Sequence, residues 1–257
     1  MHPEFLLMEN LKEKILKGLL PRHIAVIMDG NGRWAKKKGA LRIFGHQNAI
    51  KAVRDIAEGC AELKIDYLTL YAFSTENWGR PKDEVAALMQ LMVTTIHSEL
   101  ETLQTNNICL RAIGNLENLP ANCQQELNDA INKTSGNTGM NLILALSYSG
   151  RWDILEGVKK VLKDVKEGEI TIEELTPELF SFYLSTRNVP DPELLIRTSG
   201  EMRISNFLLW QMAYTELYIT DVLWPDFRKK HLYEALYSYQ HRERRFGKIS
   251  EQVKLKG

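Results

Sequence analysis

Two patterns of apolar and polar positions alternate along this chain, and they predict two kinds of secondary structure. Short apolar runs are typical of buried strands in a parallel sheet. They predict strands at residues 23–28, 67–73, 108–113, 141–148, 194–198 and 217–220. Longer segments carry an apolar residue every three or four positions, which indicates amphipathic helices. These helices are expected at residues 4–20, 47–63, 83–105, 120–134, 153–167, 206–213 and 229–240, and one more begins after Thr176.

The alternation of strands and helices continues without a break in composition or an internal repeat. It predicts the α/β fold class, as a single domain over residues 1–257 with a mostly parallel six-stranded sheet flanked by helices. Ligands of such sheets bind at the carboxyl ends of the strands. We therefore expect the loops after Met28, Phe73 and Ile196 to meet at that edge.

Composition narrows the class of protein and its partners. Lys and Arg number 33 and are balanced by 33 Asp and Glu, so no global field favours nucleic acid. The three cysteines are widely spaced and the six histidines show no metal-ligand spacing, which favours a reducing compartment. No apolar run approaches the roughly 20 residues of a membrane span, and a signal-peptide layout is absent. We expect a cytoplasmic protein.

The predicted N-terminal helix, residues 4–20, has one apolar face between lysines and glutamates. The favoured interpretation is a helix that packs on the protein's own surface. The alternative is a weak contact with a membrane surface.

The loop after the first strand reads Asp29-Gly30-Asn31-Gly32-Arg33-Trp34. A carboxylate stands where the strand ends, two glycines permit a tight turn, and a basic segment follows. These residue types favour a site for a phosphorylated ligand and a metal. The glycine spacing also matches a dinucleotide fingerprint, which requires an acidic residue roughly 20 positions later at the end of the second strand. The second predicted strand ends far later, at Phe73, so nicotinamide binding ranks lower.

Several charged residues fall at or near predicted strand ends. Guanidinium groups suit bidentate recognition of phosphate, and the arginines concerned are Arg33, Arg42, Arg80, Arg197 and Arg203. Asp29 and Glu216 are carboxylates that could hold magnesium together with a diphosphate. Spacing alone leaves an equal alternative for Glu216, which is to cap an element or pair with an arginine.

Long motifs in the chain resemble the cis-prenyltransferases. They are the loop 29–34, called the opening loop below, and the segments 73–81, 150–153, 196–207 and 242–247. Together the matches span the chain from about residue 22 to residue 247. The resemblance implies a magnesium-dependent homodimer with a central parallel sheet. Such an enzyme extends farnesyl diphosphate with isopentenyl diphosphate units in cis, and the product is a long-chain lipid carrier for cell-wall synthesis. Membrane contact would be peripheral at most, through the product or the N-terminal helix.

The resemblance also implies roles for individual residues. Asp29 would be the central catalytic carboxylate and a magnesium ligand, and Glu216 the second ligand. The allylic diphosphate would be held by Gly30, Asn31, Gly32 and Arg33, with Trp34, Arg42 and His46 around it. A mobile loop would consist of Ser74, Thr75, Glu76, Asn77, Trp78 and Arg80. Isopentenyl diphosphate would bind at Arg197, Arg203, Ile204 and Ser205.

Some points stay open at this level. Asn77 is the family's proton acceptor by resemblance, but a neutral amide is a poor base, so a phosphate oxygen, His46 or Asp29 are alternatives. The growing product needs a hydrophobic tunnel, for which helix 83–105 and strands 67–73 and 141–148 are the expected walls. Residues 241–257 are either a solvated basic tail or dimer contacts. Ser199 and Thr75 replace a glycine and a serine that are common in the family.

A non-catalytic subunit of the same family is the main rival interpretation. Such subunits lose the opening motif, whereas Asp29, Arg33, Asn77 and Glu216 are all present here.

Overall fold

The computed structural model describes residues 3–244, and side chains from residue 9 onward. Six strands form one sheet in the order β3-β4-β2-β1-β5-β6. All five pairs of neighbouring strands are parallel, which confirms the predicted fold class. The strands are β1 (His23–Ile27), β2 (Tyr67–Ser74), β3 (Cys109–Ile113), β4 (Asn141–Tyr148), β5 (Leu194–Arg197) and β6 (Glu216–Ile219).

Eight helices lie before, between and after the strands in the described part of the chain. They are α1 (Pro3–Leu16), α2 (Asn31–Lys37), α3 (Arg42–Glu62), α4 (Lys82–Thr105), α5 (Ala121–Thr134), α6 (Gly150–Glu167), α7 (Pro177–Tyr183) and α8 (Lys229–Gln240). Short 3₁₀ helices lie at Thr75–Gly79, Leu116–Asn118 and Trp224–Asp226. None of the helices described is both long and apolar enough to cross a bilayer.

The sheet is covered on both faces, as expected of a parallel sheet. Ile24 and Val26 of β1 belong to a large core with residues of α3, α4, α5 and α8. Ala25 and Ile27, which alternate with them, pack on the other face against Phe207 and its neighbours. Because side chains on both faces of β1 are packed, the carboxyl end of this strand is held in a fixed position at the edge of the sheet.

Helix α1 packs against α8, and its Ile15 is fully buried. The helix ends at Leu16, earlier than the predicted boundary at residue 20. Leu19, which follows it, is 87% exposed.

The predicted helix at 206–213 is wrong, because the segment consists of turns. Asn206 and Leu208 have φ angles of 60° and 43°, which belong to the left-handed region and interrupt a right-handed helix. Phe207 and Leu208 are fully buried against the sheet. The apolar run therefore reflects burial of a turn segment and not helical periodicity.

Two glycines determine how closely the opening loop is held. Gly30 has a φ of 107°, a conformation that L side chains rarely adopt. Gly45 of α3 lies so close to α2 that a Cβ would stand 2.0 Å from the carbonyl oxygen of Asn31. These positions let α2 and α3 approach each other and bring His46 toward the end of β1.

Candidate active site

Asp29 and Arg197 form the centre of the candidate site. β1 and β5 are neighbours in parallel register, with Ile27 opposite Arg197. Arg197 Nη2 donates to Asp29 Oδ2 at 2.9 Å, and the Arg197 side chain is only 3% exposed. The Gly30 N–H donates to Asp29 Oδ1 at 2.7 Å. The carboxylate is thus fixed by its own loop and by the adjacent strand.

Thr198 holds the backbone of Asp29 in the same position. Its hydroxyl accepts from the Asp29 N–H at 2.9 Å and donates to the Asp29 carbonyl at 2.7 Å. Burial raises the pKa of Asp29, but the hydrogen bond and charge of Arg197, with Gly30 N–H and Arg33, outweigh it and lower the pKa below its usual value. Asp29 is therefore ionised at neutral pH.

Arg33 of α2 reaches from the first loop to the segment after β5. Its guanidinium donates to the Ser199 carbonyl at 3.1 Å and to Ser199 Oγ at 2.5 Å. It also lies 3.2 Å from Glu201 and 3.5 Å from Asp29. Ser199 has a φ of 75°, which explains why glycine suits this position, and its hydroxyl gains Arg33 as a partner.

Arg197 also organises the segment that follows it. Its Nη1 donates to Ser205 Oγ at 2.7 Å and to the carbonyl of Arg203. Ile204 packs in the same apolar cluster as Phe207. The guanidinium of Arg203 is 61% exposed and lies 2.5 Å from Glu201.

Two buried polar atoms at the centre have no hydrogen-bond partner within the described part of the chain. They are Arg197 Nε and Asn31 Oδ1. Buried polar groups are nearly always satisfied, so such atoms call for an explanation. A guanidinium donor left open beside a cavity favours an anionic ligand with acceptor oxygens.

His46 and Arg80 line the mouth of a cavity at this site, and Arg42 lies nearby on the same glutamate as Arg80. Asn31 Nδ2 lies 3.3 Å from His46 Nδ1. Burial, with the charges of Arg80 and Arg42, lowers the pKa of His46 to about 4, so the ring is neutral at pH 7. Arg80 and Arg42 lie 3.2 Å and 3.6 Å from Glu84 of α4.

The loop after β2 forms the short 3₁₀ helix Thr75–Gly79. Ser74 and Asn77 cap it reciprocally, and the Ser74 N–H donates to Asn77 Oδ1 at 3.1 Å. Trp78 Nε1 donates to Ser147 Oγ at 2.9 Å. Thr75 Oγ1 donates to Glu76 at 3.3 Å. The loop is therefore held by its own side chains and by Ser147 of β4, and Asn77 lines the cavity.

A cavity of about 700 Å³ extends from this polar mouth into the core. Its walls are formed by α3, α4, β2 and β4, which include the expected segments. The polar lining residues are Asp29, Asn31, His46, Ser74, Glu76, Asn77, Arg80, Arg197, Ser205 and Asn206, together with Arg54, Thr95, Glu99 and Thr102 of α3 and α4. The apolar lining includes Leu88, Met92, Ile96, Leu142, Leu144 and Leu146. One end of the cavity suits charged groups, and the remainder is mostly apolar apart from the ion pair of Arg54 with Glu99.

Comparison with known proteins decides the family. The family model described as "Putative undecaprenyl diphosphate synthase" matches residues 27–247. The isoprenyl transferase of Porphyromonas gingivalis is 51% identical over 93% of this chain and 94% of that protein. The chain belongs to the cis-prenyltransferase family. The predicted family and enzyme class are thereby confirmed.

Two further proteins are similar to this chain, and their names specify a product or a bound ligand. The Haemophilus influenzae protein named ditrans,polycis-undecaprenyl-diphosphate synthase ((2E,6E)-farnesyl-diphosphate specific) is 48% identical over 89% of this chain and 95% of that protein. The structure of lavandulyl diphosphate synthase from Lavandula x intermedia, in complex with dimethylallyl diphosphate, matches with a TM-score of 0.87. That match has 38% identity and covers 89% of this chain and 99% of the other.

Within one chain, the structure places Glu216 away from Asp29, its predicted partner as a metal ligand. It is the first residue of β6, whereas Asp29 follows the last residue of β1. Because the strands are parallel, the two carboxylates lie at opposite edges of the sheet in one chain. Glu216 instead pairs with Arg242 at 3.0 Å, the alternative that its spacing had left open.

Trp34 is one of several predicted site residues outside the cavity lining, and the others besides Glu216 are Gly30, Gly32, Arg33, Arg42, Thr75, Trp78, Arg203 and Ile204. Its Nε1 donates to Asp226 Oδ1 at 2.8 Å, and its ring contacts Phe44. It lines a separate surface pocket with Lys37 and Lys38. A sequence pattern gives the position of Trp34 but not the direction of its side chain.

Three residues that contact this site were not singled out by role in the sequence. Thr198 fixes the Asp29 backbone, Glu201 pairs with Arg33 and Arg203, and Asn206 lines the cavity. All three lie within the motif 196–207. The sequence therefore indicated that these residues lie close to Arg197 along the chain, but it did not indicate what each of them does.

The magnesium that the family resemblance implies can be tested against these residues. Among the described residues, no group of three or more His, Cys, Asp or Glu side chains could hold a metal alone. Magnesium is usually held by one or two carboxylates together with phosphate oxygens and water. The Asp29 side chain is 31% exposed and lines the cavity, so it fits a metal shared with a diphosphate.

Proposed function

We propose that this enzyme condenses isopentenyl diphosphate units in cis onto farnesyl diphosphate and releases undecaprenyl diphosphate, a lipid carrier for cell-wall synthesis. The observation that carries the proposal is the Asp29–Arg197 pair at the mouth of a largely apolar cavity. A charged end and a hydrocarbon-lined interior match the two halves of an allylic diphosphate. The names of the close relatives support the same chemistry.

Two diphosphates are assigned to opposite sides of Asp29. The allylic diphosphate is assigned to the loop Gly30–Arg33, with Arg42 and His46 at its mouth. Isopentenyl diphosphate is assigned to Arg197, Arg203 and Ser205. Arg197 Nε is open for a phosphate oxygen. Arg33 and Arg203 both contact Glu201, so binding requires them to exchange this carboxylate for phosphate.

Charge stabilisation drives departure of the allylic diphosphate. Arginines fixed before the reaction stabilise the negative charge that develops on the leaving group. Magnesium, when bound at Asp29, supplies further neutralisation of phosphate charge. Asp29 itself is kept in place by Arg197, Gly30 and Thr198.

Carbon–carbon bond formation also needs an acceptor for a proton of the isopentenyl unit. Asn77 Oδ1 already accepts from Ser74, which favours a positioning role. His46 has a pKa of about 4 and Asp29 a lowered pKa, so both are weak bases. We assign the proton to a diphosphate oxygen, which lies beside the reacting carbons and gains charge as its bond breaks.

The cavity between α4 and β4 is assigned as the tunnel for the growing chain. Leu88, Met92, Leu144 and Leu146 line it with hydrocarbon. The loop 74–80 is assigned as the mobile element that closes over the reacting ends. Water exclusion by such closure strengthens the electrostatic interactions inside the site.

We further propose a cytoplasmic homodimer. Leu155, Val158 and Leu162 form an apolar stripe on α6 and are 55%, 38% and 62% exposed. The amino end of α6 contacts the segment after β5, so this helix begins beside the site. A second copy of this chain is its assigned occupant. The tail has no such support, because Arg242 and Arg244 bind Glu216 and Glu193 of their own chain, and residues 245–257 lie outside the described part.

The function is tested by incubating the purified chain with radiolabelled isopentenyl diphosphate, magnesium and one of three primers: dimethylallyl, geranyl or farnesyl diphosphate. We expect incorporation that EDTA abolishes, with farnesyl diphosphate as the best primer. No incorporation with any primer contradicts the proposal and favours a non-catalytic subunit. Saturable NADH or NADPH binding that diphosphate does not displace favours a dinucleotide enzyme.

A further inference from the structure

Asn206 is at the junction of three structural elements. Its carbonyl accepts from the Gly150 N–H at 2.6 Å, and its Oδ1 accepts from the Arg151 N–H at 3.0 Å. Its Nδ2 donates to Glu76 Oε1 at 2.8 Å. One side chain therefore links the start of α6, the segment after β5 and the loop that carries Asn77.

The backbone at this junction holds the Asn206 side chain in a defined direction. Asn206 has a φ of 60°, and asparagine is among the residues that tolerate this region best. The next residue, Phe207, stacks on Tyr71 with ring centroids 4.3 Å apart. The Nδ2 group is thus directed by α6 and by the sheet, and not by Glu76 alone.

Glu76 is an ionised acceptor for this bond. Burial raises its pKa, but hydrogen bonds from Asn206, its own N–H, Ser74 and Thr75 outweigh burial and lower the pKa below the usual value. A carboxylate repels a diphosphate at close range. The position of Glu76 at the cavity mouth therefore indicates a role other than direct contact with substrate phosphate.

We propose that the Asn206–Glu76 hydrogen bond is a positioning bridge. It joins the segment after β5, to which isopentenyl diphosphate is assigned, to the loop 74–80 that carries Asn77. Ser205, which Arg197 binds at 2.7 Å, directly precedes Asn206. Glu76 directly precedes Asn77. Occupation of the Arg197–Ser205 pocket is transmitted through this bridge and fixes Asn77 over the reacting carbons. Both residues are positioning residues, and the inference rests on the proposed function.

The bridge is tested by exchanging its donor and acceptor. Asn206→Asp keeps the acceptor for the Arg151 N–H and tolerates the positive φ, but it places two carboxylates against each other. Adding Glu76→Gln restores a donor and an acceptor in reversed order, with the same net charge as the wild type. Glu76→Ala removes the bridge at an exposed residue and does not depend on the fold at position 206.

We expect Asn206→Asp and Glu76→Ala each to lower kcat/KM for isopentenyl diphosphate about tenfold, the effect of one charge-assisted hydrogen bond. The KM for the allylic diphosphate should change less than twofold. The reversed pair, Asn206→Asp with Glu76→Gln, should recover to within about threefold of wild type. Hydrogen exchange of residues 74–80 should rise in the single variants and fall again in the reversed pair.

Wild-type kinetics in both single variants overturn the bridge. So does a reversed pair whose loss equals or exceeds that of Asn206→Asp. A wild-type chain that shows no turnover contradicts the proposed function instead. In that case hydrogen exchange still decides whether Asn206 and Glu76 are coupled, since it requires no catalysis.

Discussion

Arg197 Nη2 lies 2.9 Å from Asp29 Oδ2, and this ion pair joins the carboxyl ends of two adjacent parallel strands. The arginine is almost fully buried, whereas the carboxylate is partly exposed to the cavity. The protein therefore holds a positive charge in its interior and compensates it with a side chain that also faces the ligand. Stability and chemistry depend on the same pair.

Loss of the Asp29 charge should destabilise the fold more than loss of a carboxylate at the same site whose arginine partners are exposed. Asp29→Asn leaves Arg197 buried without a counter-ion, which is unfavourable by about 1–3 kcal/mol once partial exposure is allowed for. Glu201→Gln is the matched control, because its partners Arg33 and Arg203 are 47% and 61% exposed. We expect urea unfolding to show a clear loss for Asp29→Asn and less than about 0.5 kcal/mol for Glu201→Gln. Equal losses would contradict the account.

Stability should fall on mild acidification. His23 is buried between Pro190 O and Thr69 Oγ1, and burial lowers its pKa to about 4. His46 has a similarly lowered pKa. The unfolded chain binds these protons near pH 6.5 and the folded chain only near pH 4, so stability present at pH 7 is lost between those values. We expect the free energy of unfolding to drop by about 3 kcal/mol from pH 7 to pH 5.

The histidine contribution can be separated by substitution. His46→Gln keeps a polar group at the mouth but removes one titrating ring, so it should remove about half of that pH dependence. An unchanged pH dependence in His46→Gln would show that other groups cause the loss.

Product length should follow the position of a bulky side chain along β4. Leu142, Leu144 and Leu146 line one side of the cavity, and Leu146 is nearest to the carboxyl edge where Asp29 lies. Substitution by Phe should shorten the product in the order 146, 144, 142, with 146 giving the shortest chain. Reversed-phase chromatography of the products measures this order. Equal product lengths in all three variants would contradict the tunnel assignment.

The exposed stripe on α6 should hold the proposed dimer together. Leu155→Glu with Leu162→Glu places charges on this stripe and should give a monomer by light scattering, with unchanged circular dichroism. Leu19→Glu is the control, because Leu19 is 87% exposed elsewhere. A wild-type monomer, or a doubly substituted chain that still dimerises, would contradict the assignment.

The sheet and its active edge were predictable because hydrophobic patterning and parallel topology act together. Short apolar runs gave the strands, and the end of each strand gave the position of Asp29, Asn77 and Arg197. The same rule should have excluded Glu216 as a partner of Asp29 in one chain. Glu216 precedes its apolar run, so it lies at the amino end of β6.

Other features required the structure because they depend on backbone conformation and side-chain direction. Asn206 and Leu208 have left-handed backbone conformations, which prevent the apolar segment 206–213 from forming a helix. The periodicity of the sequence does not show these conformations. Trp34 carries no pattern that shows whether it faces the cavity or Asp226. The Asn206–Glu76 bond joins residues 130 positions apart, which a motif cannot pair.

Turnover of Asp29→Asn tests the central claim most directly. The variant keeps the size of the side chain and an acceptor for the Gly30 N–H, but it removes the charge that pairs with Arg197. With saturating farnesyl and isopentenyl diphosphates and magnesium, we predict kcat at least about 100-fold below wild type, in a chain that remains folded. A folded Asp29→Asn protein with kcat within threefold of wild type would contradict the account.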